Sequence, residues 1–213
     1  MDIFPIFLKI AGRRCIVIGA GNLAESKIES LQAVHAKVTV IAPEARPRIA
    51  DLAARGEIDW QQRDYSPGDL RGNFLAIAAT NVHSVNRAVY AEAAEENILC
   101  NAVDDPPFCD FYFPSVVRRG DLQIAISTAG ASPALAQRLR KEINAQLPLD
   151  TGDWLTDLGN LRREVTQAEP LNEERKWLLH QLAQREVCGY DQCPSRVLAR
   201  EHALTNPLPG RKS

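Results

Sequence analysis

The sequence predicts an α/β fold: a parallel sheet in the first half, a short strand-and-helix segment after it, and helices alone at the end. Three observations carry this reading. Short β-branched runs alternate with amphipathic stretches through the first half, a glycine-rich turn joins the first such run to the first helical stripe, and strand signals stop after residue 150. Strands separated by crossover helices form parallel sheets with right-handed connections.

The elements follow in order. Cys15 to Ile18, Val38 to Ile41, Phe74 to Ala78 and Ile98 to Val103 are apolar runs of the length expected for strands buried on both faces. Between the first two, Leu23 to His35 carries Ile28, Leu31 and Val34 as a helical stripe. Between the last two, Val82 to Glu96 carries Val85, Val89 and Ala93, with Asn81 as its expected N-cap. After Pro114 comes one more strand, Leu122 to Ser127, then a turn at Thr128-Ala129-Gly130-Ala131 and a helix. Ser132 is its N-cap, Pro133 its first position, Leu135, Leu139 and Ile143 its apolar stripe, and Pro148 its stop. Helices are expected over Asp153 to Gln167, Asn172 to Glu186 and Ser195 to Leu204, with a frayed tail from Asn206.

Composition excludes several classes. With 213 residues, 45% of them hydrophobic and 24% charged, the chain has the make-up of a folded globular protein of one sizeable core and a smaller appended unit. Residues 1–113 hold 11 basic and 15 acidic side chains and residues 114–147 hold 5 and 2, so the middle segment is the basic one. Arginine outnumbers lysine 19 to 6, which suits forked recognition of carboxylates or phosphates. A net charge of -2 without a long basic stripe argues against nucleic acid as a partner. No apolar run approaches the roughly 20 residues that cross a bilayer, and the N-terminus lacks the charge and cleavage pattern of an export signal. The expectation is a cytoplasmic protein with no membrane partner. The five cysteines are odd in number and are expected as reduced thiols.

The glycine turn gives the fold a Rossmann-like character. Gly19, Gly21 and Ala24 form a G-x-G-x-x-A pattern directly after a strand and at a helix start. The first glycine permits the turn, the second lets backbone amides approach a pyrophosphate, and the small third residue packs helix on strand. A dinucleotide site is expected over a merely structural turn. The second strand ends Ile41-Ala42-Pro43-Glu44, so Glu44 is the acid available to the ribose hydroxyls, while Arg46 and Arg48 leave a 2′-phosphate open; NAD is favoured over NADP. Thr80, after the third strand, is either a contact near the nicotinamide or a helix-capping hydroxyl.

Four blocks carry a family resemblance. FPIFLKIAGRRCIVIGAGNLAESKIESL, LAIAATNVHSVN, NAVDDPPFCDFYFPS and ISTAGASPALAQRLRKEI resemble, in order and spacing, the precorrin-2 dehydrogenase module of sirohaem synthases. The resemblance implies NAD-dependent oxidation of precorrin-2 to sirohydrochlorin, in some members followed by Fe2+ insertion to give sirohaem. It implies a homodimer with an NAD-binding domain (1–113), a central dimerisation and substrate segment (114–147) that exchanges between protomers, and a small helical domain (148–213). The larger sirohaem synthases continue into a methyltransferase; this chain stops at Ser213, so that activity is expected to be absent.

Carried over residue by residue, the resemblance puts the functional aspartate at Asp104 and cofactor contacts at Asn22, Leu23, Pro43 and Glu44. Thr128 stands where some members have a serine lining the tetrapyrrole pocket. Asp104 follows an expected strand on the same sheet edge as the glycine turn, where a carboxylate can accept a ring proton; the alternative is that Asp104 and Asp105 only turn the chain. Precorrin-2 carries eight carboxylates, and Arg118, Arg119, Arg138, Arg140 and Lys141 are candidates to hold them, or else face solvent or form ion pairs. Amides at Ala134 and Leu135 are a second candidate anion site. No dedicated metal cage is expected: the four histidines are scattered, and Cys188 and Cys193 are spaced loosely for zinc. A non-catalytic dinucleotide-sensing module is the alternative function; a generic dehydrogenase is disfavoured, since the sequence offers neither a Ser-x-x-x-Tyr-x-x-x-Lys set nor a catalytic His-Asp pairing in a second domain.

Overall fold

The computed structural model describes residues 3–168 and 170–183. It divides the chain into two compact units, one running from Phe4 to Phe113 and the other from Pro114 onward. The expected helix Ser195 to Leu204, the end of the expected helix Asn172 to Glu186, Cys188, Cys193 and the tail lie outside the described residues.

In the first unit β1 (Arg14–Ile18), α1 (Asn22–Gln32), β2 (Lys37–Ile41), α2 (Pro47–Ala54), β3 (Asp59–Gln61), β4 (Leu75–Ala78), α3 (His83–Glu95) and β5 (Leu99–Ala102) follow in sequence. The sheet is parallel, in the order β3-β2-β1-β4-β5. The order reverses between β1 and β4, which opens a crevice beyond their C-terminal ends. Val17, Val40 and Ile77 pack on one face against Ile28 and Leu31 of α1 and Ile49 of α2. Ile16, Ile18 and Ile41 pack on the other against Leu70 and against Val89 and Ala93 of α3. Burying each large aliphatic side chain contributes about 2 kcal/mol, which is why these strands read as continuous apolar runs instead of alternating ones.

Three features of this unit go beyond the expected elements. α2 is an eight-residue helix that buries only Ile49 and Leu52, too short for a periodic stripe to show. β3 is a three-residue edge strand that is largely half-exposed, too short for a periodic signal. The N-cap of α3 is Val82 and not Asn81, and it makes no side-chain cap bond; the loop before the helix is held from inside by Asn86, as described below.

The second unit starts with β6 (Ser115–Arg119), also not expected, paired antiparallel with β7 (Leu122–Ile126). Gly120 takes the left-handed φ of 55° that the two-residue hairpin loop requires. An isolated hairpin is marginally stable, and this one leans on α4 (Pro133–Gln146) and α5 (Thr151–Ala168), followed by α6 (Glu173–Leu182). Backbone meets backbone at one point: a Cβ on Gly152 would lie 2.8 Å from the Gly120 nitrogen and 2.9 Å from the Arg119 carbonyl carbon. The hairpin tip therefore sits directly on the first turn of α5.

Cys15, Cys100 and Cys109 are free thiols. Burial pushes Cys15 up to about 11 and Cys100 up to about 12, from an ordinary value of 9.0. Above pH 9 the unfolded chain loses these protons while the folded chain keeps them, so folding stability falls as the pH rises toward 12. Under reducing conditions the urea midpoint should decline above pH 9, and Cys100→Ala, about 1 kcal/mol less stable at neutral pH, should decline less steeply.

Candidate active site

A cavity of about 670 Å³ occupies the crevice beyond β1, β2 and β4, lined by residues 18–21, 41–46, 64–65 and 79–82 together with Val85. Its floor is the glycine turn. Gly19 adopts φ 106°, and a Cβ there would lie 2.5 Å from the Ala79 carbonyl oxygen. This glycine is required by the close approach of the β1 and β4 exits, whatever the cavity holds. Gly21 differs: a Cβ there would meet no atom within 4 Å, so packing does not explain it. A ligand whose phosphates come against the backbone does. Gly21 is the N-cap of α1 and supplies no side-chain acceptor, which leaves the first-turn amides, including those of Asn22 and Leu23, for an anion. The residues present thus fit a dinucleotide.

The wall after β2 holds Pro43 and Glu44, both exposed on the cavity rim. Arg46, also on the rim, reaches across to α1: its Nε donates to Glu25 at 2.8 Å, and its Nη1 donates to the Asn22 side chain. Arg48 pairs with Glu29 at 2.6 Å, one turn further along α1. The far wall includes Asp64 and Tyr65. Glu92 of α3 fixes that loop by accepting from the Tyr65 hydroxyl and, at 2.9 Å, from the Leu70 N–H; burial and this carboxylate raise the Tyr65 phenol well above its usual range.

Thr80 lines the cavity, but its polar groups are committed to buried Asn86. The hydroxyl donates to Asn86 Oδ1 at 2.7 Å and accepts from the Val82 N–H at 3.1 Å, the Thr80 N–H donates to the same Oδ1, and Asn86 Nδ2 donates back to the Thr80 carbonyl. The hydroxyl thus braces the loop before α3 without capping the helix, and Thr80 keeps its place on the cavity wall.

Asp104 is not among the residues lining this cavity. It stands on the same sheet edge, one strand over: Ala102 pairs with Ala78, so Asp104 follows β5 by as many residues as Thr80 follows β4. The Val103 N–H donates to the Ala78 carbonyl at 2.9 Å, which keeps the two exits together. Asp104 is exposed and has φ 62°, a left-handed backbone that costs a non-glycine residue free energy. Lys27 of α1 lies beside it, half-buried over the Phe113 ring at 3.8 Å. Burial lowers the Lys27 ammonium below its usual range and the Asp104 charge partly restores it. Its neighbour Asp105 is mostly buried and accepts from Arg87 at 3.2 Å. One aspartate is therefore a structural anchor and the other presents its carboxylate to solvent.

The expected substrate residues of the second unit separate. Arg118 is exposed on β6, and Arg138 is a surface residue paired with Glu142 at 3.2 Å. Arg119 has partners within the fold. Its guanidinium is turned onto the C-terminal end of α4, donating to the carbonyls of Asn144 at 2.9 Å, Leu147 and Pro148 and to the Asn144 side chain. Unpaired carbonyls end every helix and a cation there is stabilising, so Arg119 is engaged with the end of α4. Thr128 accepts from the Ser132 N–H at 3.2 Å within a turn where Ala129 and Gly130 both have positive φ. The Leu135 amide, a candidate for anions, is taken by the Ser132 hydroxyl at 3.2 Å. Among the described residues no group of three or more His, Cys, Asp or Glu side chains could hold a metal ion.

The two glycines should respond differently to the same change. Gly19→Ala is expected to destabilise the fold by about 3 kcal/mol or more. Gly21→Ala should leave the thermal midpoint nearly unchanged yet weaken dinucleotide binding about tenfold or more, read by nucleotide titration.

Comparison with known proteins agrees with this geometry. A family model described as "Putative NAD(P)-binding" matches residues 6–115, and one described as the central part of a sirohaem biosynthesis protein matches residues 119–146. Siroheme synthase 3 of Aeromonas hydrophila is 39% identical over 98% of this chain and 43% of its own length. Siroheme synthase 1 of Yersinia enterocolitica is 41% identical over 78% of this chain and 35% of its own length. The chain thus spans less than half the length of the curated relatives it matches. The solved structure of SirC, precorrin-2 dehydrogenase, shares the fold with a TM-score of 0.73 at 24% identity, over 95% of this chain and 98% of that one. No described helix is long and apolar enough to cross a membrane. With a glycine-floored crevice at the switch point of its sheet and the first family model matched over more than half its residues, the chain belongs to the family described as putative NAD(P)-binding.

Proposed function

We propose that this protein oxidises precorrin-2 to sirohydrochlorin with NAD. The observation that carries the reading is the sheet edge itself, where a dinucleotide cradle after β1 and an exposed carboxylate held at φ 62° after β5 stand at the same end of the sheet, with the exit of β4 between them. NAD, when bound, supplies the hydride acceptor. The chain's own residues do the rest. Gly19, Gly21 and the amides of Asn22 and Leu23 receive the pyrophosphate, while Pro43 and Glu44 face the adenosine ribose. Asp104 takes the proton that the macrocycle must lose along with its hydride. Lys27 stays close enough to counter the charge of Asp104.

Thr128, Arg118 and Arg138 are the substrate contacts in this reading; exposure of both guanidinium groups supports it, since forked donors suit the substrate's carboxylates. Fe2+ is a further substrate of the same centre, with Asp104 receiving the pyrrole protons as the ion enters. The working form is a homodimer: Phe4 and Phe7 are 86% and 69% exposed, unusual for side chains that gain from burial. The reaction belongs in the cytoplasm, consistent with free thiols at Cys15, Cys100 and Cys109.

Incubation of the purified protein with precorrin-2 and NAD, followed by absorption, tests the assignment. Asp104→Asn should lose about a hundredfold or more in turnover while its NAD affinity stays close to the parent's. Unchanged turnover would remove Asp104 from the reaction. A parent protein that binds NAD and leaves precorrin-2 untouched would instead favour a dinucleotide-sensing module.

A further inference from the structure

We infer that Glu25 sets the form of the cofactor: by holding the Arg46 guanidinium, it withholds from a 2′-phosphate the cationic group on the cavity rim, so that the site takes NAD and refuses NADP. The inference rests on the dinucleotide reading above. Among the described residues, Arg46 is the only lysine or arginine lining the cavity, and it sits two positions after Glu44, on the loop that faces the adenosine ribose in sheets of this order. A guanidinium in this position is the usual receptor for a 2′-phosphate.

Here that receptor is already filled. Arg46 Nε meets Glu25 Oε2 at 2.8 Å, Nη1 is given to Asn22, and the Arg46 backbone N–H donates to the Ala20 carbonyl at 3.2 Å. The carboxylate is the better-fixed partner, with its side chain 22% exposed against 48% for the arginine. Glu25 also lies in the first turn of α1, where the helix favours a negative charge. Near the ribose wall Glu25 and Glu44 outnumber Arg46, and Arg48, two positions on, is likewise held by Glu29 at 2.6 Å. That balance tolerates ribose hydroxyls and repels a phosphate dianion. Glu25 is thus a positioning residue, acting through Arg46.

The test is paired titration of the whole chain with NADH and NADPH, followed by nucleotide fluorescence. Glu25→Gln should tighten NADPH about tenfold or more and leave NADH within about twofold, a shift in preference that loss of structure cannot produce. Glu25→Ala serves the same end if the glutamine amide keeps hold of the guanidinium. Adding Arg46→Ala to either variant should abolish the gain. An unchanged NADPH to NADH ratio in both Glu25 variants would overturn the inference. Equal tightening of both nucleotides would overturn it too, by assigning Arg46 to the pyrophosphate. A parent protein that binds neither nucleotide would defeat the dinucleotide reading itself, and this inference with it.

Discussion

The site depends on a contact between two pieces of backbone. β1 and β4 lie side by side although paired residues such as Cys15 and Leu75 are 60 positions apart in the chain, and as they leave the sheet the Gly19 turn passes so near the Ala79 carbonyl that a Cβ would sit 2.5 Å from it. The contact fixes how far apart the two exits stand, and the crevice between them is where an open α/β sheet admits a ligand. The loop after β2 closes one side and the Asn86-braced loop after β4 closes the other.

The polar groups around this crevice divide into those the fold consumes and those it leaves free. Asn86 takes the polar groups of Thr80, Glu92 takes the Tyr65 hydroxyl and the Leu70 amide, and Asp105 takes Arg87. In the second unit Arg119 is spent on the end of α4. What remains unspent at the sheet edge is the Gly21 cradle, the Glu44 rim and the Asp104 carboxylate. A group left outside the internal network in this way is available to a ligand without a bond first being broken inside the protein.

The sequence made some of this visible and hid the rest for physical reasons. The glycine turn was legible because its constraints are local: Gly19 and Gly21 are called for by backbone conformation and close approach. The buried strands β1, β2, β4 and β5 were legible because burial on both faces leaves a run of apolar residues. β3 and β6 were not, being a short half-exposed edge and a hairpin arm with weak alternation. The partnerships Thr80 with Asn86 and Arg119 with Asn144 were beyond reach, since each depends on which helix end the fold brings near. For Arg46 a signal did exist: Glu25 and Glu29 are four apart on α1, a spacing that puts both on one face, opposite two arginines two apart. Asp104 and Asp105 are adjacent and chemically identical, and only the backbone angle and the Arg87 contact tell them apart.

The meeting of Gly120 with Gly152 bears on how the second unit comes apart. Main chain rests on main chain there, with no side chain between to yield or rearrange. The ribbon formed by β6 and β7 cannot tilt away while the start of α5 stays put, nor can α5 unwind its first turn in place. Amide protons at both locations should therefore exchange with solvent in a single cooperative opening.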